Sequence, residues 1–471
     1  MSPQETVERA LAAARCDDCV VIADETSSAN LRWAANSLTT NGVSRSRQLT
    51  VIAITRKGPG ACAGVVSRAG VRADQVADVV EAAEQAASES SPAEDAQPLL
   101  GPADPEAYRM DGGSTPRRPS WDDAPASTGI DVFAAFSPAL GEAFGTAAAA
   151  GRKLYGYAEH SLTSTFLGTS TGLRLRHDQP TGKADINAKA GNGASAWLGR
   201  ATSDFTDVDV AAITAGLGQQ LDWARRQVDL PAGRYPTLLS PSAMADLFVY
   251  LYWSAGAKDA LDGRTVFSKP GGGTKVGERL AGMPVTMRSN PEAPGLRCAP
   301  FVIARASQRE ASVFDNGLAI PPVTWLRDGV LTALAQTRWT AQGSGLPVTP
   351  ETDNLIFESA APTGALDDLI ARTERGLLVN CLWYIREVDP QTLLLTGLTR
   401  DGVYLVENGE VTGAVNNFRF NESPVALLRR LAEAGATVPA LPREWGDYFT
   451  RAAMPPARFE DFNMSSVSQA S

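Results

Sequence analysis

The segment Gly376–Phe420 constrains the fold more than any other part of this 471-residue chain. Asp401-Gly402 separates two of its apolar runs, and Asn408-Gly409 joins Val403–Val406 to Val411–Val415. Asn-Gly between alternating runs is the strongest short-range signal for a β-hairpin, because both central residues of the turn take a positive φ. The segment therefore predicts an antiparallel strand meander in the C-terminal half.

The remaining sequence divides into a mixed half and a strand-rich half. The predicted helices are Thr6–Arg15, Ala73–Ser88, Phe136–Gly151 and Val208–Gln227, and the predicted N-terminal strands are Cys19–Ala23, Leu49–Thr55, Gly156–Gly168 and Gly172–His177. Pro231–Pro236 marks a boundary between domains at 1–230 and 231–471. Short apolar runs follow from Leu280, with another hairpin expected around Asp328-Gly329. The pattern predicts an α+β protein, with an N-terminal α/β domain and a C-terminal, mainly antiparallel, curved and barrel-like β-sheet domain.

The stretch 88–129 is rich in Ser, Pro, Asp and Gly and has few periodic apolar residues. A segment of this length without regular structure is either a mobile surface excursion or a functional loop. The composition favours a surface excursion, although Trp121 indicates that part of the stretch docks on the protein.

Charge and composition argue against several classes of protein. The formal net charge of −10 argues against nucleic-acid binding, which needs a basic face. No segment approaches the roughly 18 uninterrupted apolar residues of a membrane span, and the N-terminus has no apolar core of signal-peptide type. Five thinly spread cysteines fit a reducing compartment, so we expect a cytoplasmic protein.

The sequence offers few residues for metal chemistry. Its only histidines are His160 and His177, and no HExxH pair is present. A catalytic zinc needs three protein ligands, so two histidines with a remote carboxylate would satisfy the count, but structural histidines are the favoured interpretation. The glycine-rich run Pro270–Lys275 lacks the spacing of a phosphate-binding loop and is expected to be an ordinary loop.

Three segments together resemble the TldD/PmbA family of peptidases, closest to its PmbA (TldE) branch. They are Gly376–Phe420, Phe462–Ser468 and, with a weaker resemblance, Asn30–Ser37. In the TldD branch a helix carrying HExxxH, early in the C-terminal domain, and a later cysteine hold the metal. The matching region here, Ser240–Lys269, reads as a helix and a loop without His or Glu, and no cysteine follows Cys381. The resemblance therefore implies no catalytic residue and no cofactor in this chain, with zinc held by a TldD-type partner.

Three functional hypotheses follow. By resemblance, the chain is the metal-free, non-catalytic subunit of a heterodimeric zinc metallopeptidase that acts on unfolded or extended peptides. The alternatives are a stand-alone homodimeric peptide-binding or scaffold protein, and a self-sufficient hydrolase with an unrecognised site. Strand edges would suit sequence-tolerant pairing with an extended peptide. The aromatic residues expected to line a groove or a subunit contact, with ordinary core packing as the open alternative, are Tyr250, Tyr252, Trp253, Trp383 and Tyr384.

Overall fold

A computed structural model describes residues 1–58, 60–110 and 119–468 of the chain. Within these ranges the strands form three sheets, one in the N-terminal half and two in the C-terminal half. The elements of the N-terminal half are α1 (Pro3–Ala13), β1 (Asp18–Ala34), β2 (Ser37–Lys57), β3 (Gly60–Ala69), α2 (Val76–Glu89), α3 (Phe136–Ala149), β4 (Lys153–Thr169), β5 (Arg174–Lys189), β6 (Ser195–Thr202) and α4 (Val210–Trp223).

The C-terminal half contains more and shorter strands. Its elements are β7 (Gln227–Val228), β8 (Gly233–Leu239), α5 (Pro241–Trp253), α6 (Ala257–Leu261), β9 (Val285–Ser289), β10 (Val323–Arg327), β11 (Val330–Leu331), α7 (Arg338–Ser344), β12 (Leu355–Ser359), α8 (Leu366–Ala371), β13 (Arg375–Val379), β14 (Leu382–Asp389), β15 (Leu394–Thr399), β16 (Val403–Glu407), β17 (Glu410–Val415), β18 (Phe418–Glu422), α9 (Pro424–Arg429), β19 (Leu431–Ala434), β20 (Val438–Ala440), β21 (Ala452–Met454) and β22 (Ala457–Val467).

The N-terminal sheet is antiparallel throughout, in the order β3-β2-β1-β4-β5-β6. All four of its helices pack on one face. Helices α1 and α2 cover Val21 and Ala23 of β1, and α3 and α4 cover Leu31 and Trp33 of the same strand. These four residues share a face because side chains alternate along a strand.

The opposite face of this sheet packs against the C-terminal half. Val20 and Ile22 of β1 share a buried cluster with Phe301 and Phe314. Polar contacts reinforce the junction: the Arg305 guanidinium donates to both carboxylate oxygens of Asp24 at 2.7 Å. The two halves therefore share one hydrophobic cluster at their junction.

The segment at 88–129 packs on the body of the protein over its described residues. Leu99 and Leu100 are buried in the core that the two halves share. Trp121 stacks edge-on against Phe166, with ring centroids 5.5 Å apart, which confirms the expected docking. Most of the described part lies at the surface, as expected, but Leu99, Leu100 and Ala107 anchor it in the core. Residues 111–118 of this stretch lie outside the described residues.

The predicted boundary at 231 falls close to the change of sheet. The N-terminal half ends with α4 at Trp223, and β7 already pairs with β17 of the C-terminal sheet. The C-terminal sheet therefore takes its first strand just before Pro231.

The largest C-terminal sheet has ten described strands. Its order is β14-β15-β18-β22-β8-β13-β16-β17-β7, with β19 also paired to β22. A second sheet runs β11-β10-β9-β12-β21-β20. Pairing is mainly antiparallel, as predicted, but the expected barrel-like closure is not found: β14 and β7 end the large sheet without pairing to each other among the described residues.

Two hairpin predictions are confirmed, but Gly376–Phe420 is not one continuous meander, because β15 pairs with β14 and β18 whereas β16 pairs with β13 and β17. Asn408 and Gly409 join β16 to β17 with φ of 52° and 84°. Asp328 and Gly329 join β10 to β11 with φ of 49° and 81°. The Asn-Gly and Asp-Gly pairs form these turns because they tolerate the left-handed backbone.

Replacing Gly409 with valine is expected to lower the stability of the fold. The φ of 84° is strained for a β-branched residue, and a Cβ there would lie 2.7 Å from the Ala371 carbonyl oxygen. We expect a loss of about 2–4 kcal/mol in the free energy of unfolding, measured by chemical denaturation. Gly295→Val is the matched control, because Gly295 has a φ of 73° but open space around it. Equal losses in both variants would show that the Ala371 contact adds nothing.

No described helix is both long and apolar enough to cross a membrane.

Candidate functional site

Helix α5 occupies the region where the family resemblance places the metal-binding helix. Its N-cap is Ser240, whose hydroxyl accepts a hydrogen bond from the Ala243 amide at 3.2 Å, and Pro241 follows at the first helical position. Most of its side chains are buried, from Ala243 to Tyr252. A helix that is apolar on all sides lies inside the protein, so α5 is a core element.

The residues of α5 do not fit a zinc ion. Its one carboxylate, on Asp246, accepts hydrogen bonds from the Leu382 amide at 3.0 Å and the Glu444 amide at 2.9 Å. Zinc requires several His, Cys or carboxylate groups that converge on one point. Within residues 1–58, 60–110 and 119–468, no group of three such side chains is arranged to hold a metal. Asp246 instead ties α5 to β14 and to the segment that begins at Pro442.

Asp246 should make stability depend on pH. Burial raises its pKa to about 8, against the two backbone hydrogen bonds, which lower it. The folded state therefore binds a proton more tightly than the unfolded state, and stability falls as pH rises from about 4 to 8. We expect the wild type to lose about 1–3 kcal/mol more than Asp246→Asn between pH 5.5 and 8.5, measured by urea unfolding.

The control for this measurement is Asp367→Asn, because Asp367 lies exposed in α8. Its pH dependence should match that of the wild type. Parallel stability curves for wild type and Asp246→Asn would contradict the assignment to Asp246.

Tyr252 is a core residue, which corrects its prediction as a contact residue. Its side chain is 2% exposed. The hydroxyl donates to the Thr352 carbonyl at 2.9 Å and accepts from the Thr352 amide at 2.7 Å. Trp325 stacks on its ring at 5.3 Å. A buried polar group needs a partner. A tyrosine can be buried here because both hydrogen bonds to Thr352 satisfy its hydroxyl.

Tyr250 and Trp253 lie at the surface end of α5 and are half-buried. Both stack on Trp445, with ring centroids 5.5 and 5.4 Å away. Trp253 also meets Phe449 edge-on at 6.0 Å. These aromatic rings form a wall that is partly open to solvent.

Trp383 and Tyr384 lie elsewhere, at a bulge in β14. Tyr384 has a φ of 55° and is 51% exposed, with the Arg386 guanidinium 4.4 Å from its ring. The Tyr384 and Ile385 amides donate to the carboxylate of Glu444 at 2.8 and 3.0 Å. The predicted aromatic residues therefore fall into two groups: Tyr250 and Trp253 pack on Trp445, whereas the backbone at Tyr384 binds Glu444.

Two adjoining cavities lie beside the first group. One of about 650 Å³ is lined by Tyr250, Trp253, Arg309 and Glu310, among others. The other, of about 340 Å³, is lined by Trp253, Glu310, Glu351, Tyr448 and Phe449, among others. Because they share Trp253 and Glu310, we refer to the two cavities together as the Trp253 groove.

The Trp253 groove is aromatic and acidic. Tyr448 is 77% exposed at its rim. Burial and the nearby Asp259 raise the pKa of Glu310. Surrounding protein atoms, then Glu310 and Asp353, raise the pKa of Glu351 to about 7. Carboxylates beside aromatic rings suit a cationic or aromatic group of a peptide, so the groove is suited to recognition.

The two histidines cannot share a metal ion. In the β4–β5 ladder His160 lies opposite Gly182 and His177 lies opposite Thr165. Positions 160 and 165 are about 17 Å apart along a strand and face opposite sides of the sheet. His160 is satisfied by the Thr128 hydroxyl at 2.8 Å and the Ser203 carbonyl at 2.7 Å. His160 thus has the structural role that its sequence context favours.

Sequence reasoning did not find several residues of the groove. Glu310 and Glu351 lie in loops with no periodic pattern, and nothing in the sequence connects them to α5. A sequence signal was present for three other aromatic residues near the groove. Trp445, Tyr448 and Phe449 lie within five positions, shortly before the family-like segment Phe462–Ser468.

Comparison with known proteins identifies the family. Residues 232–466 match the family model described as the PmbA/TldA metallopeptidase C-terminal domain. The chain belongs to the TldD/PmbA family. No curated protein sequence matches it.

Solved structures of this fold extend over the whole chain. TldE from Thermococcus kodakarensis has a TM-score of 0.77 at 18% identity, covering 98% of this chain and 99% of that one. A protein described as a modulator of DNA gyrase from Thermotoga maritima has a TM-score of 0.73 at 16% identity, covering 98% and 99%. One with a similar description from Bacteroides thetaiotaomicron has a TM-score of 0.73 at 16% identity, covering 99% and 98%. At these identities the likeness concerns the fold.

Proposed function

We propose that the chain is the metal-free subunit of a TldD/TldE-type heterodimeric zinc metallopeptidase that degrades or processes unfolded or extended peptides in the cytoplasm. A TldD-type partner supplies the zinc ligands and the general base. This chain supplies packing surface and part of the enclosure that admits flexible substrates. It carries no catalytic residue of its own.

The observation that carries this proposal is the chemistry of α5. The helix lies in the region that corresponds to the family's metal helix, but it has no His or Glu. Its only carboxylate is buried and bound to two backbone amides. A catalytic metal also needs an open coordination position for water, and Asp246 is enclosed by protein. The likeness of the whole fold to a TldE structure supports the same branch.

Within this proposal, the Trp253 groove is where peptide or partner contacts this chain. Its aromatic rings offer apolar area, and Glu310 and Glu351 offer carboxyl groups whose raised pKa values a bound cationic side chain would lower. Tyr250 and Trp253 keep the contact role expected from the sequence, and the bulge at Trp383 and Tyr384 is a second candidate surface. Tyr252 has no such role.

The test is reconstitution. This chain and a TldD-type chain encoded beside it are purified separately and together, and zinc content and peptidase turnover are measured for each chain and the mixture. We expect zinc and turnover only where the TldD-type chain is present, and co-purification of the two. One tightly held zinc per chain in the isolated protein, with turnover, would instead support a self-sufficient hydrolase. A folded chain that binds peptide but no TldD-type chain would favour the stand-alone binding protein.

A further inference from the structure

Two cysteines with the spacing Cys-x-x-Cys lie where α1 meets β1. Cys16 precedes the strand by two positions, and Cys19 is the second residue of the strand. A single pair lacks the second half of a zinc site, but two neighbouring thiols are also the arrangement of a dithiol that exchanges with disulfides. The positions of the two sulfur atoms decide whether this pair can do so.

The two thiols contact each other in the folded chain. The backbone bends at Cys16 and Asp17, and the Cys16 side chain shares a hydrogen bond with the Cys19 thiol. Cys19 belongs to the buried cluster beneath α1 and α2, and Cys16 packs against the same cluster. Because the sulfur atoms are already neighbours, a disulfide bond of about 2.0 Å needs only a local movement.

The surroundings of the two sulfur atoms differ. Cys19 is 1% exposed, whereas Cys16 is only half-buried. The hydrogen bond from Cys19, helped by the Ile54 amide, lowers the pKa of Cys16, although burial and the nearby Glu84 oppose this. The hydrogen bond to Cys16, and then burial, raise the pKa of Cys19. Since the thiolate is the nucleophile, Cys16 is the attacking group and Cys19 is held back as the second thiol.

The acidic residues around Cys16 are already paired. Asp18 forms an ion pair with the Arg56 guanidinium at 2.9 Å, and Asp17 accepts a hydrogen bond from the Arg56 amide at 2.7 Å. The Glu84 carboxylate accepts a hydrogen bond from the Cys16 amide at 3.0 Å. These partners offset part of the negative charge, so the acids do not cancel the effect of Cys19 on Cys16.

We propose that Cys16 and Cys19 form a dithiol site that exchanges with low-molecular-weight disulfides such as glutathione disulfide. The Cys16 thiolate attacks one sulfur of the small disulfide and forms a mixed disulfide, and the other glutathione leaves as a thiolate that takes up a proton. Cys19 then gives up its proton and attacks the Cys16 sulfur, which releases the second glutathione. The two protein thiols are oxidised to one disulfide, and the small disulfide is reduced to two thiols.

The other three cysteines of the chain provide an internal comparison. Cys62, Cys298 and Cys381 are at most 2% exposed. Burial raises the pKa of both Cys298 and Cys381 to about 12. A buried thiol with a raised pKa is inert, so exchange in the folded protein should be confined to the pair at the start of β1.

Mass spectrometry of the full-length protein tests the site. The reduced protein is treated with glutathione disulfide at about pH 7.5 and digested with trypsin, which releases residues 16–32 with both cysteines of the pair and no other. We expect this peptide to lose two hydrogen atoms, and dithiothreitol to restore them. Cys62→Ser is the matched control and should react like the wild type.

Two variants separate the roles of the pair. Cys19→Ala keeps a small apolar residue in the core and should stop at the mixed disulfide, with one glutathione on Cys16. Cys16→Ser should react at least about tenfold more slowly than the wild type. Two free thiols in the treated wild-type peptide would overturn the proposal. So would oxidation seen only after denaturation, or glutathione found equally on the buried cysteines. The inference does not rest on the proposed function.

Discussion

Replacing Tyr252 with aspartate is expected to unfold the chain. Tyr252 is buried, stacks on Trp325 and holds both backbone groups of Thr352. Deleting a buried aromatic ring costs about 3–5 kcal/mol, and the new carboxylate adds an unpaired buried charge. The total is comparable to the whole stability of a typical domain, about 5–15 kcal/mol. Thermal melting and soluble yield are the measurements.

Two further variants separate the contribution of the Tyr252 hydroxyl from the effect of placing a charge in the core. Tyr252→Phe keeps the ring but leaves the Thr352 groups unsatisfied, so we expect a loss of about 1–3 kcal/mol. Tyr384→Asp makes the same exchange at a site 51% exposed, where aspartate tolerates the positive φ, and should melt close to the wild type. A Tyr252→Asp protein that melts like the wild type would contradict the buried placement.

In the reconstituted peptidase, substituting either histidine of this chain is expected to leave turnover within a few-fold of the wild type. His160 is tied to Thr128 and Ser203, and His177 lies opposite Thr165 on the other face of the sheet. Removing the general base or a metal ligand from the TldD-type chain should instead cost on the order of 100-fold or more. The measurement is peptide turnover by His160→Ala and His177→Ala complexes, with assembly checked by gel filtration.

Trp253→Asp should be measured beside the histidine variants, because it changes the groove of this chain and not a histidine. Trp253 lines both cavities and stacks on Trp445 and Phe449. A charge there should weaken assembly or substrate admission, since it enters a packed aromatic wall. Loss of turnover in a histidine variant that still assembles would refute the non-catalytic assignment of this chain.

The sequence predicted those features of the fold that depend on residues adjacent in the chain. The turns at Asn408-Gly409 and Asp328-Gly329 were predictable because a positive φ at two successive positions favours few residue types. Strand β2 was predicted only from Leu49 to Thr55, because its outer part is rich in Ser, Thr and Arg and exposed on both faces. That stretch is a strand because β1 pairs with it residue by residue, which is tertiary information.

The candidate site was predicted only in part, for a different reason. Helix α5 is apolar on nearly every side, so its sequence has no polar face to show which aromatic residues reach the surface. Tyr252 and Trp253 are adjacent, and only the packing of Thr352 and Trp445 around them makes one a core residue and the other part of the wall. Glu310 and Glu351 join the groove from loops distant in sequence.

The core shared by the two halves also determines how the molecule loses its structure. Val20 and Ile22 are buried against Phe301 and Phe314, so separating the halves would expose both sets of side chains to water. Each half also has buried clusters of its own, so this junction is one part of the interior. Cutting the chain between α4 and β8 should yield two fragments that stay associated, and damage at either side of the shared interior should lower one common melting transition.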